Sequence, residues 1–198
     1  MEDSAPMVGV VLAGGRGKRI GGDKANVAVE GRPLLRWVLA ALEAVCPEVA
    51  VVAKRNTVLP GLRASTRVWV EPDQPVHPLT GIIHALRQAE GRPVLVCATD
   101  LVLLDPGTLR AIVAAADPER LAVVPFADGR LQPLCALYQP GALRILQRFQ
   151  PETRTADAAA ELDPVVVGFD DPRPFFNVNG PEDVLHASSA LRPPPRAR

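Results

Sequence analysis

Aromatic residues are scarce in this 198-residue chain, at 4%, so its core is expected to consist mainly of Val, Leu, Ile and Ala. An excess of one charge sign is also missing, because 22 basic residues face 22 acidic ones. That balance excludes a general attraction to nucleic acid or to an anionic membrane. Any anionic ligand must then be held by a few placed groups. The three cysteines, Cys46, Cys97 and Cys135, form no CxxC pair and are odd in number. They exclude a disulfide framework and a cysteine-based zinc site, and their apolar neighbours predict buried, inert thiols. No run of about 18 apolar residues occurs that would span a bilayer. The opening Met1-Glu-Asp-Ser-Ala-Pro6 is acidic and lacks the apolar stretch of a secretory leader. A cytoplasmic location is the expectation.

What is present is a globular composition, 47% hydrophobic and long enough for one domain with a full core. Short apolar runs without polar alternation predict buried strands over 8–13, 49–53, 68–70, 94–97, 121–124, 134–137 and 165–169. Apolar residues at helical spacing predict helices over 33–45, 79–89, 106–116, 142–149, 155–162 and 181–188. Pro33 sits where a first helical turn tolerates proline, and Asp128-Gly-Arg130 reads as a turn between strands. Alternating strands and helices imply βαβ units. The fold class is therefore α/β, a three-layer, Rossmann-like domain with a mostly parallel central sheet. One domain is expected over 7–190, with flexible termini at 1–6 and 191–198.

In an open parallel sheet, ligands bind beyond the carboxyl ends of the strands. Two such ends carry conspicuous residues. The first strand runs into Leu12-Ala-Gly-Gly-Arg-Gly-Lys-Arg-Ile-Gly-Gly-Asp-Lys24. Its glycines let backbone N–H groups approach a ligand, and successive N–H groups make a nest for an anion. Arg16, Lys18, Arg19 and Lys24 add the positive charge that a triphosphate needs. The loop is neither a Walker A loop nor a GxGxxG loop in register, so a flexible basic loop is the competing reading. The second end is Asp100, where a carboxylate can hold Mg²⁺ or can cap a helix. The residues alone leave both readings open. Trp37 and Trp69 suit the core rather than base stacking. His77 fits either a helix cap or an acceptor-site group, and His84 and His186 fit structural or exposed positions.

These residues resemble the MobA-like nucleotidyltransferases, and within them the molybdenum cofactor guanylyltransferase branch. The first loop matches the family signature LAGG-x-S/G-x-R-M-G-x-D-K. Five further blocks follow in order: Gly31-Arg-Pro-Leu34, Pro78-Leu-Thr-Gly-Ile82, Val96-Cys-Ala-Thr-Asp100, Gln132-Pro-Leu-Cys-Ala-Leu-Tyr138 and Phe176-Asn-Val-Asn-Gly-Pro-Glu-Asp183. Together they cover residues 8 to 185, nearly the whole chain. The resemblance implies a Rossmann-like nucleotidyltransferase fold and Mg²⁺-dependent transfer of GMP from GTP to molybdopterin cofactor, with release of pyrophosphate. It also implies transient contact with other cofactor-biosynthesis proteins or molybdoenzymes.

By the same resemblance, Leu12, Ala13 and Gly14 would line the guanine and ribose site. Gly15 and Arg19 would meet the triphosphate. Lys24 would contact the phosphates and stabilise charge as the α-phosphorus is attacked. Asp100 would hold Mg²⁺, Asp73 would contact base or ribose, and Asn177 and Asn179 would face the acceptor. The chain departs from the pattern where it reads Asp100-Leu-Val, with no proline after the aspartate, and at His77 and Gln132, which stand in place of a glycine and a histidine. The alternatives are a related transferase using CTP or another acceptor such as a sugar phosphate, and a nucleotide-binding regulatory module without catalysis. A dinucleotide-binding oxidoreductase is disfavoured by the glycine register.

Overall fold

The computed structural model describes residues 6–17, 22–150 and 152–192; of the termini expected to be flexible, 1–6 and 191–198, residues 1–5 and 193–198 lie outside them. In chain order the elements are β1 (Val8–Leu12), the short pair β2 (Arg16–Gly17) and β3 (Gly22–Asp23), a 3-10 turn (Lys24–Asn26), the short pair β4 (Ala28–Val29) and β5 (Arg32–Pro33), α1 (Leu34–Glu43), β6 (Glu48–Lys54), β7 (Arg67–Glu71), α2 (Pro78–Gln88), β8 (Val94–Ala98) and α3 (Pro106–Ala114). The second half holds β9 (Ala122–Ala127), β10 (Arg130–Leu131), β11 (Cys135–Tyr138), α4 (Ala142–Leu146), α5 (Thr155–Ala160), β12 (Val165–Gly168), a 3-10 turn (Arg173–Phe175) and α6 (Pro181–Leu191).

The main sheet has eight strands in the order β10-β9-β11-β8-β1-β6-β7, with β12 paired to β9. β8, β1, β6 and β7 run parallel, and β12 runs parallel to β9. β11 is inserted antiparallel between β8 and β9, a direction that a short apolar run does not announce. Side-chain alternation along β1 divides the core. Val11 packs with Leu35, Val38 and Leu42 of α1 and with Leu109 and Ile112 of α3. Val8 and Val10 point the other way, to Ile82 and Leu86 of α2 and Leu146 of α4. Two buried faces explain why the strands read as unbroken apolar runs. Burying each such side chain contributes roughly 1.5–3 kcal/mol. Gly9 packs tightly on the α1 side: a Cβ there would lie 3.0 Å from Cys46 Sγ and 3.1 Å from Leu42 Cδ2, and both would have to give way.

Several expected boundaries shift. Pro33 belongs to β5 and precedes α1 rather than opening it. α4 stops at Leu146, short of residue 149, while α6 continues past residue 188 to Leu191. All three cysteines are buried, and burial pushes the Cys46 thiol up to about 12. Trp69 is in the core beneath α2. Trp37 is half-buried, donates to the Val29 carbonyl at 3.2 Å and carries the Arg32 guanidinium 4.5 Å above its ring.

A third, smaller cluster joins distant parts of the chain. Val29 of β4, Leu34 of α1, Val102, Val178 and Ala187 of α6 pack together. This cluster carries the segment before α6 to the carboxyl end of β8, where the Val178 N–H donates to the Asp100 carbonyl at 3.1 Å.

Candidate active site

The carboxyl ends of β1, β6, β7 and β8 open on a cavity of about 190 Å³. Its back is made by Leu12, Ala13, Gly14 and Gly15, which leave β1 as its hydrogen bonding runs out. The Ala13 N–H still donates to the Val52 carbonyl at 2.7 Å, and the Thr99 hydroxyl to the Leu12 carbonyl at 2.7 Å. These bonds fix the strand exit, while a Cβ placed on Gly15 would meet nothing within 4 Å. Backbone amides at that turn are thus open to a ligand. The lining is mostly apolar, with a few polar groups converging on it, the usual make-up of a small-molecule site.

Lys24 and Asp100 meet at the mouth. Lys24 Nζ donates to Asp100 Oδ2 at 2.6 Å and to Asn179 Oδ1 at 2.8 Å. Both charged side chains are mostly covered, 16% and 15% exposed. The other oxygen, Asp100 Oδ1, is buried with no hydrogen-bond partner among the described residues. Asp100 does not cap a helix: α3 is capped by Asp105, which accepts from the Gly107 and Thr108 N–H groups at 2.7 and 3.1 Å. His77 is the cap of α2, accepting the Leu79 N–H on Nδ1 at 3.2 Å, and it also lines the cavity.

Two groups at the cavity floor escaped the sequence reading. Lys54 ends β6 and Glu71 ends β7, with Lys54 Nζ 3.4 Å from Glu71 Oε1. Lys54 also donates to the Pro72 carbonyl. Glu71 is 6% exposed, and its Oε2 has no hydrogen-bond partner among the described residues. Burial pushes this carboxyl above the ordinary glutamate range, and the Lys54 charge and hydrogen bond offset part of that rise. A Cβ at Gly14 would run into Glu71 Oε1 and force that carboxylate to shift; at Gly81 it would come 3.4 Å from Oε2. Both residues were discoverable by the rule that selected Asp100, the carboxyl end of a buried parallel strand.

A second, larger cleft of about 570 Å³ lies beside the first and is lined by Asn177, Asn179, Gln132, Arg130 and Phe176 among others. Asn179 belongs to this cleft and to the hydrogen-bond set of Lys24. The ammonium therefore stands where the two cavities adjoin. Asn177 Nδ2 donates to the Phe175 carbonyl at 2.9 Å. The Asn179 and Gly180 N–H groups both donate to Asp183 Oδ2, at 2.7 and 2.8 Å, closing the first turn of α6.

The expected site residues thus fall into three groups. Leu12, Ala13, Gly14, Gly15, Lys24 and Asp100 line the first cavity, and Asn177 and Asn179 the second. Asp73 is exposed in the bend after β7 and lines neither; Glu71, two residues earlier, occupies the floor. Arg19 lies outside the described residues.

Residues 9–165 match the MobA-like NTP transferase domain family. The chain is 35% identical to a molybdenum cofactor guanylyltransferase of Cereibacter sphaeroides over 94% of this chain and 97% of that one. It is 32% identical to a probable molybdenum cofactor guanylyltransferase of Thermococcus kodakarensis, covering 90% and 92%. The crystal structure of molybdopterin-guanine dinucleotide biosynthesis protein A from Archaeoglobus fulgidus is similar with a TM-score of 0.76 at 26% identity, covering 92% of this chain and 97% of that one.

Proposed function

This chain belongs to the MobA-like NTP transferase family of nucleotidyltransferases, and from that premise we propose that it transfers GMP from GTP to molybdopterin cofactor, with Mg²⁺ and with release of pyrophosphate. The observation that carries this reading is Lys24, whose ammonium joins Asp100 on the nucleotide side to Asn179 on the other. A displacement at the α-phosphorus needs a positive charge where the two substrates meet.

In this reading GTP lies with its base in the cavity behind Gly14 and its phosphates over the open amides of Gly14 and Gly15. Glu71, rather than Asp73, faces the base. Its free oxygen is suited to the N1–H and N2–H donors of guanine, and Lys54 holds the carboxylate in place. An acceptor phosphate oxygen attacks the α-phosphorus in line. The new P–O bond forms as the bond to the bridging oxygen of the β-phosphate breaks, and pyrophosphate leaves with that electron pair. The acceptor phosphate is ionised at neutral pH, so no general base is needed. Lys24 stabilises the charge that develops on the α-phosphoryl oxygens.

The residues fit Mg²⁺. Asp100 Oδ1 is a buried carboxylate oxygen without a hydrogen-bond partner among the described residues, the hard ligand this ion takes. No cluster of three or more His, Cys, Asp or Glu side chains able to hold a metal occurs among the described residues. One carboxylate with the triphosphate and water is a usual ligand set for Mg²⁺. The ion would supply charge neutralisation along the phosphates.

No helix among the described residues is long and apolar enough to cross a membrane, and we place the reaction in the cytoplasm, with transient contact to a molybdoenzyme for delivery. The test is pyrophosphate release with Mg²⁺ and molybdopterin, comparing GTP, CTP and ATP. Release with GTP alone is expected. Release with CTP alone would keep the Lys24 role and overturn the base assignment.

A further inference from the structure

The main sheet has a free edge at β7. That strand pairs with β6 and ends the strand order on its side. Apart from this ladder, no backbone hydrogen bond involves residues 67–71 among the described residues. Its outer row of N–H and C=O groups is therefore a template for a further strand. Proteins blunt such edges with lysine, proline or a bulge. β7 reads Arg-Val-Trp-Val-Glu, without lysine or proline, and its register with β6 runs from Arg67 to Glu71 without a bulge.

One face of β7 is covered and the other is open. Trp69 is buried under α2. Val68 and Val70 stand in register with Val51 and Ala53 of β6, and so lie on the α1 face. Val51 and Ala53 are buried there, whereas Val68 and Val70 are 44% and 51% exposed. The helical layer over β1 and β6 thus stops short of the edge. The connection from β6 to β7 packs Leu59 and Leu62 against the same side of the core and leaves Val58 exposed.

This edge is complementary to itself. A two-fold axis through Trp69 that sets two copies of β7 antiparallel pairs each Val68 with Val70 of the second copy and each Arg67 with Glu71. Glu71 is turned into the nucleotide cavity beside Lys54. The outer charge that the exposed Arg67 meets is then Asp73, exposed two residues further on and within diagonal reach of a long side chain. The strand beyond β9, β12, is shorter, and Val165-Val166-Val167-Gly168 has no charge to fix a register. With 22 basic and 22 acidic residues, two copies meet little long-range repulsion.

We infer that β7 is the docking edge for a second copy of this chain, paired antiparallel on a two-fold axis so that Val68 and Val70 of the two copies cover one another. Such a contact uses up the β7 edge of both copies and closes at two chains. Antiparallel pairing also points the carboxyl ends of the two β7 strands in opposite directions. The two nucleotide cavities then open at opposite ends of the joined sheet, and both stay accessible.

The experiment is analytical ultracentrifugation of the full chain from about 1 to about 100 μM. A species of twice the 21.1 kDa chain mass is expected, dissociating on dilution. Val68→Lys puts a charge in the middle of the edge and is expected to weaken the dimer about tenfold or more, with an unchanged circular dichroism spectrum. Val166→Lys, at the exposed valine of β12, should leave the dimer intact. Arg67→Asp should weaken it, and adding Asp73→Arg should restore it. Hydrogen exchange on the unaltered chain supplies a second readout: outward amides of residues 67–71 should exchange more slowly as concentration rises. A monomer at every concentration would overturn the inference. So would a dimer that survives Val68→Lys, one that Val166→Lys dissolves, or exchange at 67–71 that ignores concentration.

Discussion

Lys24 and Glu71 solve the same problem differently, since each must keep a charge in a largely dry pocket. Lys24 is engaged on two sides, by Asp100 and by Asn179. Its substitution by Ala removes charge stabilisation from the transition state, so kcat should fall by about 10²–10³. Circular dichroism should show the fold retained, because the residue lies at the pocket mouth and in none of the three core clusters. Glu71 is only half-satisfied and titrates above the ordinary glutamate range because burial disfavours its charge. The folded state therefore binds the proton more tightly than the unfolded chain. Stability from this group is present below the unfolded value near 4.3 and falls as pH rises through the folded value. Guanine binding has the opposite slope, because its N–H donors need the ionised carboxylate. GTP affinity should rise with pH over the same window, and Glu71→Gln should flatten both curves. Calorimetric titration and thermal melts at several pH values would measure the pair; a pH slope in GTP affinity that survives Glu71→Gln would remove Glu71 from base recognition.

At the scale of elements, strands buried on both faces were legible as unbroken apolar runs and helices by their period of 3.6. β6, β8, α2 and α3 could be read this way. The two-residue strands β2 to β5 and β10 are too short to carry a period. The antiparallel insertion of β11 leaves no trace, since a strand covered on both faces is apolar in either direction. Caps were harder, because a polar residue before a helix has several uses. Asp100 had a cap as its competing reading, yet the cap is Asp105. Replacing Asp105 by Ala should cost about 1 kcal/mol of stability. Burial alone would raise its carboxyl, but hydrogen bonds from the Thr108 hydroxyl and from the Thr108 and Gly107 N–H groups outweigh it and hold it below the usual aspartate range. A depressed folded value means the cap stabilises above the unfolded value near 3.9 and is lost as pH falls through the folded one. Urea titrations should show the two proteins diverging at neutral pH and converging in acid.

At the scale of the whole molecule, the candidate site depends on contacts that no local pattern contains. Lys24 and Asn179 are 155 residues apart; Lys24 was marked by the positive charge a triphosphate needs, Asn179 only through resemblance to a family. Physics alone marked the glycine loop and Asp100. It did not mark Asn179, because an asparagine before a helix is ordinary turn chemistry. What brings Asn179 to Lys24 is Val178, fully buried against Val29, Leu34, Val102 and Ala187. Its side chain anchors the segment, and its N–H binds the Asp100 carbonyl at 3.1 Å. Val178→Ala leaves that backbone bond and opens a cavity, at a cost of about 2 kcal/mol. If the anchor serves only stability, turnover at a temperature where the variant is fully folded should match wild type. If it sets the Lys24 ammonium between the substrates, kcat should fall several-fold, by the same factor as in Asn179→Ala. The GTP KM should hold, because Leu12 to Gly15 are fixed by β1 and its neighbours β6 and β8. The double variant should then be no slower than Asn179→Ala alone, since both changes break one link. Additive losses in kcat would separate the anchor from the lysine and leave Val178 a purely structural residue.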